Sequence, residues 1–283
     1  MNMGIKVIGI IGAGVMGTGV AQRFAQYGYD VVLIDKTDEI LDKARSSINR
    51  NLMIHNMMNK EKVDVKNVHS HIATSIDYEV LREVDVVIEN VPEVIEIKEK
   101  VYLELEQKCK RECYFLVNTS CISITQVASY TSRPDRVIGV HFMNPAPIQK
   151  FSEVIRGYYT SNETIEDVKK LLKSIEINCT VINDSPGFVS NRMSHIFMNE
   201  AANIVLEGVA TPEQVDMIFT EGFQHKMGPL HTADLIGLDT VVNSLEVLYQ
   251  SYQDPKYRCS PLLKKLVSAG LLGRKTGKGF FEY

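Results

Sequence analysis

The stretch that most constrains this chain is its amino-terminal segment. The run from Lys6 to Ile11 reads as a β-strand, Gly12-Ala13-Gly14-Val15-Met16-Gly17 follows at once, and a helical pattern continues through Tyr27 to a stop at Gly28. A second strand, Asp30 to Ile34, ends in Asp35. Alone, a Gly-x-Gly-x-x-Gly pattern says little. Set between a strand and a helix, with an acidic residue closing the next strand, it marks a βαβ unit that holds a dinucleotide. In that reading Gly12 permits the tight turn, Gly14 lets the main chain approach a diphosphate, and Gly17 lets the helix pack close to the strand. The helix amino terminus supplies N–H donors to the phosphates. Asp35 is placed to accept both ribose hydroxyls of an adenosine and to repel the extra phosphate of NADP, so NAD is the expected cofactor. The competing reading, glycines that serve packing only, leaves the agreement of so many parts unexplained.

The rest of the chain extends this unit. A helical pattern runs from Asp38 to about Asn59, and the polar run on to Lys66 reads as a second helix returning in a hairpin. Met53, Ile54, Met57 and Met58 have helical spacing and read by default as core. Strand-like runs follow at 71–74, 84–89 and 114–118, with a helix from Val94 to Lys110 between the last two. That alternation predicts a doubly wound, mostly parallel sheet. A helix from Glu163 to Ile175 and a strand from Cys179 to Ile182 close the domain, and Asp184-Ser185-Pro186-Gly187 marks its boundary. Beyond it the pattern is helical over about 188–207, 212–221, 229–252 and 261–269. The expected architecture is an α/β domain over residues 1–184, with a helical hairpin inserted, followed by an all-helical domain over 185–283. Apolar helical faces left over in the second domain suggest packing against a sister subunit as a homodimer.

Within the first domain lies a second informative stretch, from His141 to Glu153. The run Arg136 to His141 reads as a buried parallel strand delivering an imidazole at its carboxyl end, where open α/β sheets hold ligands. Asn144, Pro145 and Pro147 force a loop, and a second extended segment carries Glu153 back alongside. That geometry puts a carboxylate on one imidazole nitrogen, which fixes the tautomer and leaves the other nitrogen as a general base. On these residues alone a hydrogen-bonded core histidine and a solvated strand glutamate are the commoner reading, since structural pairs outnumber catalytic ones. The hydroxyl-rich turn Thr119-Ser120 through Thr125, also at a strand's carboxyl end, either caps a short helix or faces a ligand.

Composition removes several function classes. With 31 Lys+Arg against 35 Asp+Glu, a net charge of −4, there is no basic stripe for nucleic acid and no polybasic membrane anchor. Cys109, Cys113, Cys121, Cys179 and Cys259 are odd in number and form no Cys-x-x-Cys pair, which argues against a disulfide framework or a metal site. The segment Met1 to Ile11 has no basic leader or cleavage site, and no stretch approaches membrane-spanning length, so a soluble cytoplasmic protein is expected.

Taken together, these residues resemble the L-3-hydroxyacyl-CoA dehydrogenase family, with its bacterial 3-hydroxybutyryl-CoA dehydrogenases, over essentially the whole chain. The matching stretches are Gly12 to Gly17 with Asp35, Asn118-Thr119-Ser120, His141 to Pro145 through Glu153, Pro186 to Arg192, Met227 to Leu230, Gly237 to Thr240 and Gly273 to Phe280. The resemblance implies a Rossmann-type domain followed by a helical one, and a reaction interconverting a 3-hydroxyacyl and a 3-oxoacyl thioester with NAD. It implies that His141 is the base, Glu153 its orienter, Ser120 a ligand of the reacting oxygen and Asn191 a substrate contact. It also carries NAD contacts onto the glycine turn with Ala13, Val15 and Met16, and onto Asp35, Glu93, Lys98, Ser120, Asn144 and Lys275. By charge alone, Glu93, Lys98 and Lys275 read as solvated side chains.

The chain departs from the family on the hairpin, where relatives that use coenzyme A place lysines and this sequence has Ile54 and Met58. Met143 stands where a second Phe is usual, and Cys121-Ile122 follows Ser120. An exposed Met-rich patch with Arg50, His55, Lys60 and Lys62 at its fringe suits an acidic acyl carrier protein. The sequence therefore leans toward a carrier-protein thioester, as in the branch that oxidises glyceryl-carrier protein for polyketide extender units. The coenzyme A thioester of fatty-acid or butanoate metabolism is the alternative, and an NAD-binding relative without turnover is a third reading.

Overall fold

The computed structural model describes residues 4–283; Met1, Asn2 and Met3, part of the Met1 to Ile11 segment expected to carry no leader, lie outside the described residues. The chain divides into two compact units that meet in sequence at Asp184 and Ser185. Among the described residues no helix is long and apolar enough to cross a membrane.

The first unit runs β1 (Val7–Ile11), α1 (Val15–Gln26), β2 (Asp30–Ile34), α2 (Asp38–Met58), α3 (Val65–Ser70), β3 (Ile72–Ser75), β4 (Val86–Glu89), α4 (Ile95–Lys108), β5 (Tyr114–Val117), α5 (Ile124–Ala128), β6 (Val137–Phe142), β7 (Phe151–Arg156), α6 (Asn162–Ser174) and β8 (Asn178–Asn183). The strands form one eight-stranded sheet in the order β3-β2-β1-β4-β5-β6-β7-β8. β1 to β6 are parallel, β7 runs antiparallel to β6, and β8 is parallel to β7. Strands buried on both faces need near-continuous apolar runs, and β4 (VVIE) and β5 (YFLV) are buried along their whole length. The order reverses between β1 and β4, and such a switch point opens a crevice at the carboxyl ends of the strands.

The hairpin differs from the sequence reading in two ways. Its second helix is α3, which begins at Val65 behind an Asp64 cap that accepts the N–H groups of Lys66 and Asn67. The polar run before it, after α2 ends at Met58, is loop. The methionine cluster is also not core: Met53 and Ile54 are about half exposed, and Met57 and Met58 are 82 % and 80 % exposed. The buried stripe of α2 is Leu41, Ala44, Ile48 and Leu52, spaced three and four apart, and the cluster falls to the side of it.

The second unit consists of α7 (Ser190–Leu206), α8 (Pro212–Met217), α9 (Pro229–Ile236), α10 (Leu238–Tyr252) and α11 (Pro261–Ser268). The helix expected over 229–252 is two helices, because Gly237 takes φ +103°, a left-handed value that no right-handed helix contains. A π-turn, Ile218–Gly222, extends α8. Two buried aspartates organise this unit. Asp216 accepts the N–H groups of Leu230 and His231 at the start of α9, and Asp234 accepts those of Phe280 and Phe281, with the Tyr283 hydroxyl, to fold the carboxyl-terminal segment back.

The burial pattern of α2 sets a test. Leu52→Ala is expected to lower unfolding free energy by about 2–5 kcal/mol, whereas Met57→Ala should stay within about 0.5 kcal/mol. Urea denaturation of both variants checks this, and equal losses would contradict the assigned faces.

Candidate active site

The glycine turn leaves β1 at the switch point. Gly12 has φ +92°, and a Cβ there would lie 2.7 Å from the Asn90 carbonyl oxygen; one on Gly17 would lie 1.8 Å from the Gly12 oxygen. Gly14 is different: nothing lies within 4 Å of where its Cβ would stand. It caps α1 without any side-chain hydrogen bond, and Val15 beside it is exposed. Asp35, just past β2, accepts the Ala13 N–H at 2.6 Å through Oδ2 and the Lys36 N–H at 2.7 Å through Oδ1. Open space at Gly14, an uncapped helix amino terminus and a carboxylate at the end of β2 fit a dinucleotide with free ribose hydroxyls.

Farther along the same sheet edge, antiparallel pairing of β6 and β7 puts His141 directly opposite Glu153. Opposed residues share a face, so register alone brings the two side chains together. Nδ1 of His141 lies 3.0 Å from Glu153 Oε2, with both side chains largely buried. An ionised carboxylate only accepts, so Nδ1 donates and Nε2 keeps its lone pair. Ser120 Oγ lies 3.4 Å from Nε2, long for a hydrogen bond.

The turn bearing Ser120 is held from both sides. The Asn118 amide donates to Asn90 Oδ1 at 2.7 Å and accepts the Phe142 N–H at 3.3 Å, linking the carboxyl ends of β4, β5 and β6. Glu93 Oε1 accepts the Thr119 hydroxyl and the N–H groups of Ser120, Cys121 and Ile122. Lys98 corrects the charge-based reading, for its side chain is 0 % exposed. It faces inward from α4 because Glu89, at the end of β4, meets it at 2.7 and 2.8 Å, and a buried charge requires such a partner. Burial raises the Glu89 carboxyl above its ordinary value, while Lys98 and the Val91 N–H pull it back.

His141, Glu153, Ser120, Glu93 and Lys98 thus form one connected group in the first unit. Asn144 is exposed in the loop after β6, its carbonyl accepting from Gln149 Nε2 at 3.5 Å and its peptide bond to Pro145 cis. Asn191 and Lys275 belong to the second unit. Asn191 lies in the first turn of α7, where its carbonyl accepts His195 Nδ1 at 2.7 Å. Lys275 is partly exposed and paired with Asp239; burial opposes ionisation there, yet the lysine holds the Asp239 carboxyl below its ordinary value. Two contributors escaped the sequence reading. Asn90 follows β4 as Asn118 follows β5, a symmetry visible only once the strands are aligned. Arg23 stands between Val20 and Phe24 on the buried face of α1 and donates to the carbonyls of Ile175 and Pro147, both at 2.9 Å, tying the glycine-turn helix to the loop after His141.

Comparison with known proteins places nearly the whole chain in one family. The family model described as 3-hydroxyacyl-CoA dehydrogenase, NAD binding domain, matches residues 7–185, and that described as its C-terminal domain matches residues 187–283. The chain belongs to the 3-hydroxyacyl-CoA dehydrogenase family. A probable 3-hydroxybutyryl-CoA dehydrogenase of Deinococcus radiodurans is 45% identical over 275 residues, covering 97% of this chain and 99% of that protein. The 3-hydroxybutyryl-CoA dehydrogenase of Clostridioides difficile is 42% identical, covering 98% and 99%. Among solved structures, the (S)-3-hydroxybutyryl-CoA dehydrogenase of Ralstonia eutropha superposes with a TM-score of 0.94 at 40% identity, covering 99% of each chain. As a family member this protein is an NAD-dependent hydroxyacyl dehydrogenase, an oxidoreductase acting on a CH–OH group.

The glycine turn separates binding from folding. Gly14→Ala should leave the melting temperature almost unchanged but weaken NADH binding, read by fluorescence titration. Gly17→Ala should lower the melting temperature sharply, because its Cβ would overlap the Gly12 carbonyl. The reverse pattern would contradict the roles given to the two glycines.

Proposed function

We propose that this protein interconverts a short-chain 3-hydroxyacyl-CoA and its 3-oxoacyl-CoA, with 3-hydroxybutyryl-CoA as the model substrate. The observation that carries the chemistry is the pairing of His141 with Glu153 on one nitrogen and Ser120 on the other. The relatives are named for coenzyme A thioesters, which favours the coenzyme A alternative over the sequence-based preference for a carrier protein. The exposed methionine cluster meets the condition set for the carrier reading, but no comparison speaks for that partner.

In this reading the turn from Gly12 to Gly17, with Ala13, Val15 and Met16, holds the diphosphate, and Asp35 takes the adenosine ribose. Glu93, Ser120, Asn144 and Lys275 complete the NAD contacts by family pattern, and Lys98 serves them from below through Glu93. Bound NAD supplies the hydride acceptor. His141 Nε2 takes the proton of the substrate's 3-hydroxyl, and Glu153 stabilises the imidazolium that forms. Ser120, with Asn191 from the second unit, donates to the substrate oxygens and fixes their orientation. In reduction the imidazolium returns its proton to the ketone oxygen. The second unit is assigned to substrate binding and to homodimer formation, for which the exposed Met193, Met217, Ile218 and Phe223 supply apolar surface.

One assay tests both carrier and mechanism: NADH oxidation with acetoacetyl-CoA beside acetoacetyl loaded on an acyl carrier protein. Saturable turnover of the coenzyme A thioester is expected, with His141→Ala at least ~100-fold slower but still binding NADH. Turnover confined to the carrier protein would restore the carrier reading. Undiminished turnover by His141→Ala would remove the base, and a wild-type protein that binds NADH without turning over either thioester would be a non-catalytic relative.

A further inference from the structure

The turn 119–122 presents three consecutive N–H groups, those of Ser120, Cys121 and Ile122, to a single oxygen, Glu93 Oε1, at 2.9, 2.8 and 3.3 Å. The Thr119 hydroxyl donates to the same oxygen. Successive N–H groups converging on one point form a nest, a concavity that binds anions. Here the anion is the chain's own carboxylate. Such charge-assisted bonds are roughly twice as strong as neutral ones, so the turn's shape is coupled to the presence of that charge.

Glu93 is itself backed from inside the unit. Its Oε2 lies 4.0 Å from Lys98 Nζ, and Lys98 is fixed between both oxygens of the fully buried Glu89 at the end of β4. Lys98 also approaches the Asn118 carbonyl at 3.5 Å, at the start of the same turn. A continuous line of contacts therefore runs from β4 through Glu89, Lys98 and Glu93 to the Ser120 turn, and from Ser120 Oγ to His141 Nε2. The opposite side of His141 is fixed by strand register. Without Glu93, three N–H groups lose their common acceptor, and the turn carrying the serine loses the anchor that orients it.

We propose that Glu93 is a positioning residue for the reaction: by filling the nest of the 119–122 turn it holds the Ser120 hydroxyl against the reacting nitrogen of His141. The inference rests on the reading of Ser120 as a donor to the substrate oxygen. It differs from a role as an NAD ligand alone, because it acts through Ser120 on kcat.

The test is a double-mutant cycle with Glu93→Gln, Ser120→Ala and the combined variant in NADH-dependent reduction of acetoacetyl-CoA, with NADH affinity titrated for each. Glu93→Gln should lower kcat, measured at saturating NADH, about tenfold, the scale of a displaced orienting group, over and above any loss of NADH affinity from its cofactor contact. In the Ser120→Ala background the same substitution should have almost no further effect. Glu93→Ala, which also removes the accepting oxygen, should fall further than Glu93→Gln. Thr119→Val keeps the carboxylate and removes one donor, so it carries the same cycle should the Glu93 variants fail to fold by circular dichroism. An identical kcat loss in both backgrounds, or lost NADH affinity with kcat intact, would overturn the proposal. Wild-type turnover by Ser120→Ala alone would instead overturn the underlying assignment of Ser120, so the two failures are distinguishable.

Discussion

The chemistry proposed for this chain depends on one strand pairing. In a sheet whose first six strands are parallel, β7 returns antiparallel to β6 and sets Glu153 opposite His141. A parallel neighbour would have required a crossover of a dozen or more residues, whereas the loop 143–150, with Pro145 and Pro147, reverses direction at the sheet edge. A slip of one residue would send the carboxylate to the other face of the sheet, so apolar burial of β7 and orientation of the imidazole are a single constraint. Ser152 to Ile155 are buried, and that burial is what keeps the register.

The protein orders its loops with carboxylates that accept main-chain N–H groups, three of them buried and the Glu93 side chain 38 % exposed. Glu89 accepts from Val91, Glu93 from the Ser120 turn, Asp216 from the start of α9, and Asp234 from the carboxyl-terminal segment. Each charge taken from water is answered by directed donors, without which burial would cost far more than it returns. Helix α1 and the loop between β6 and β7 are also joined, since Arg23 of α1 donates to the Pro147 carbonyl, and a Cβ on Gly19 would lie 2.9 Å from Pro147 Cδ.

Much of this was legible in the sequence because it obeys short-range rules. The glycine turn and Asp35 are fixed by local backbone needs, and alternating strands and helices announce the sheet. The His141–Glu153 pair was legible because the prolines between them limit how the chain can return. What escaped depends on partners distant in sequence. Lys98 looks solvated until Glu89 is seen beneath it. Met57 and Met58 share the apolar character of core residues, but the stripe set by Leu41, Ile48 and Leu52 points elsewhere. Gly237 breaks a helix that periodicity alone continues, since an isolated glycine does not reveal the sign of its φ. On the carrier of the acyl group, two missing lysines on the hairpin drew the sequence reading toward a carrier protein, whereas the relatives' names favour the coenzyme A alternative.

The central claim is that strand register turns Nδ1 of His141 toward Glu153 as a donor and leaves Nε2 to take the substrate proton. Nitrogen-15 NMR of the imidazole in the neutral protein measures this directly. The account requires a protonated Nδ1 and an unprotonated Nε2, with the pattern disturbed in Glu153→Ala. A proton on Nε2 in the neutral ring, or a spectrum indifferent to Glu153, would contradict it.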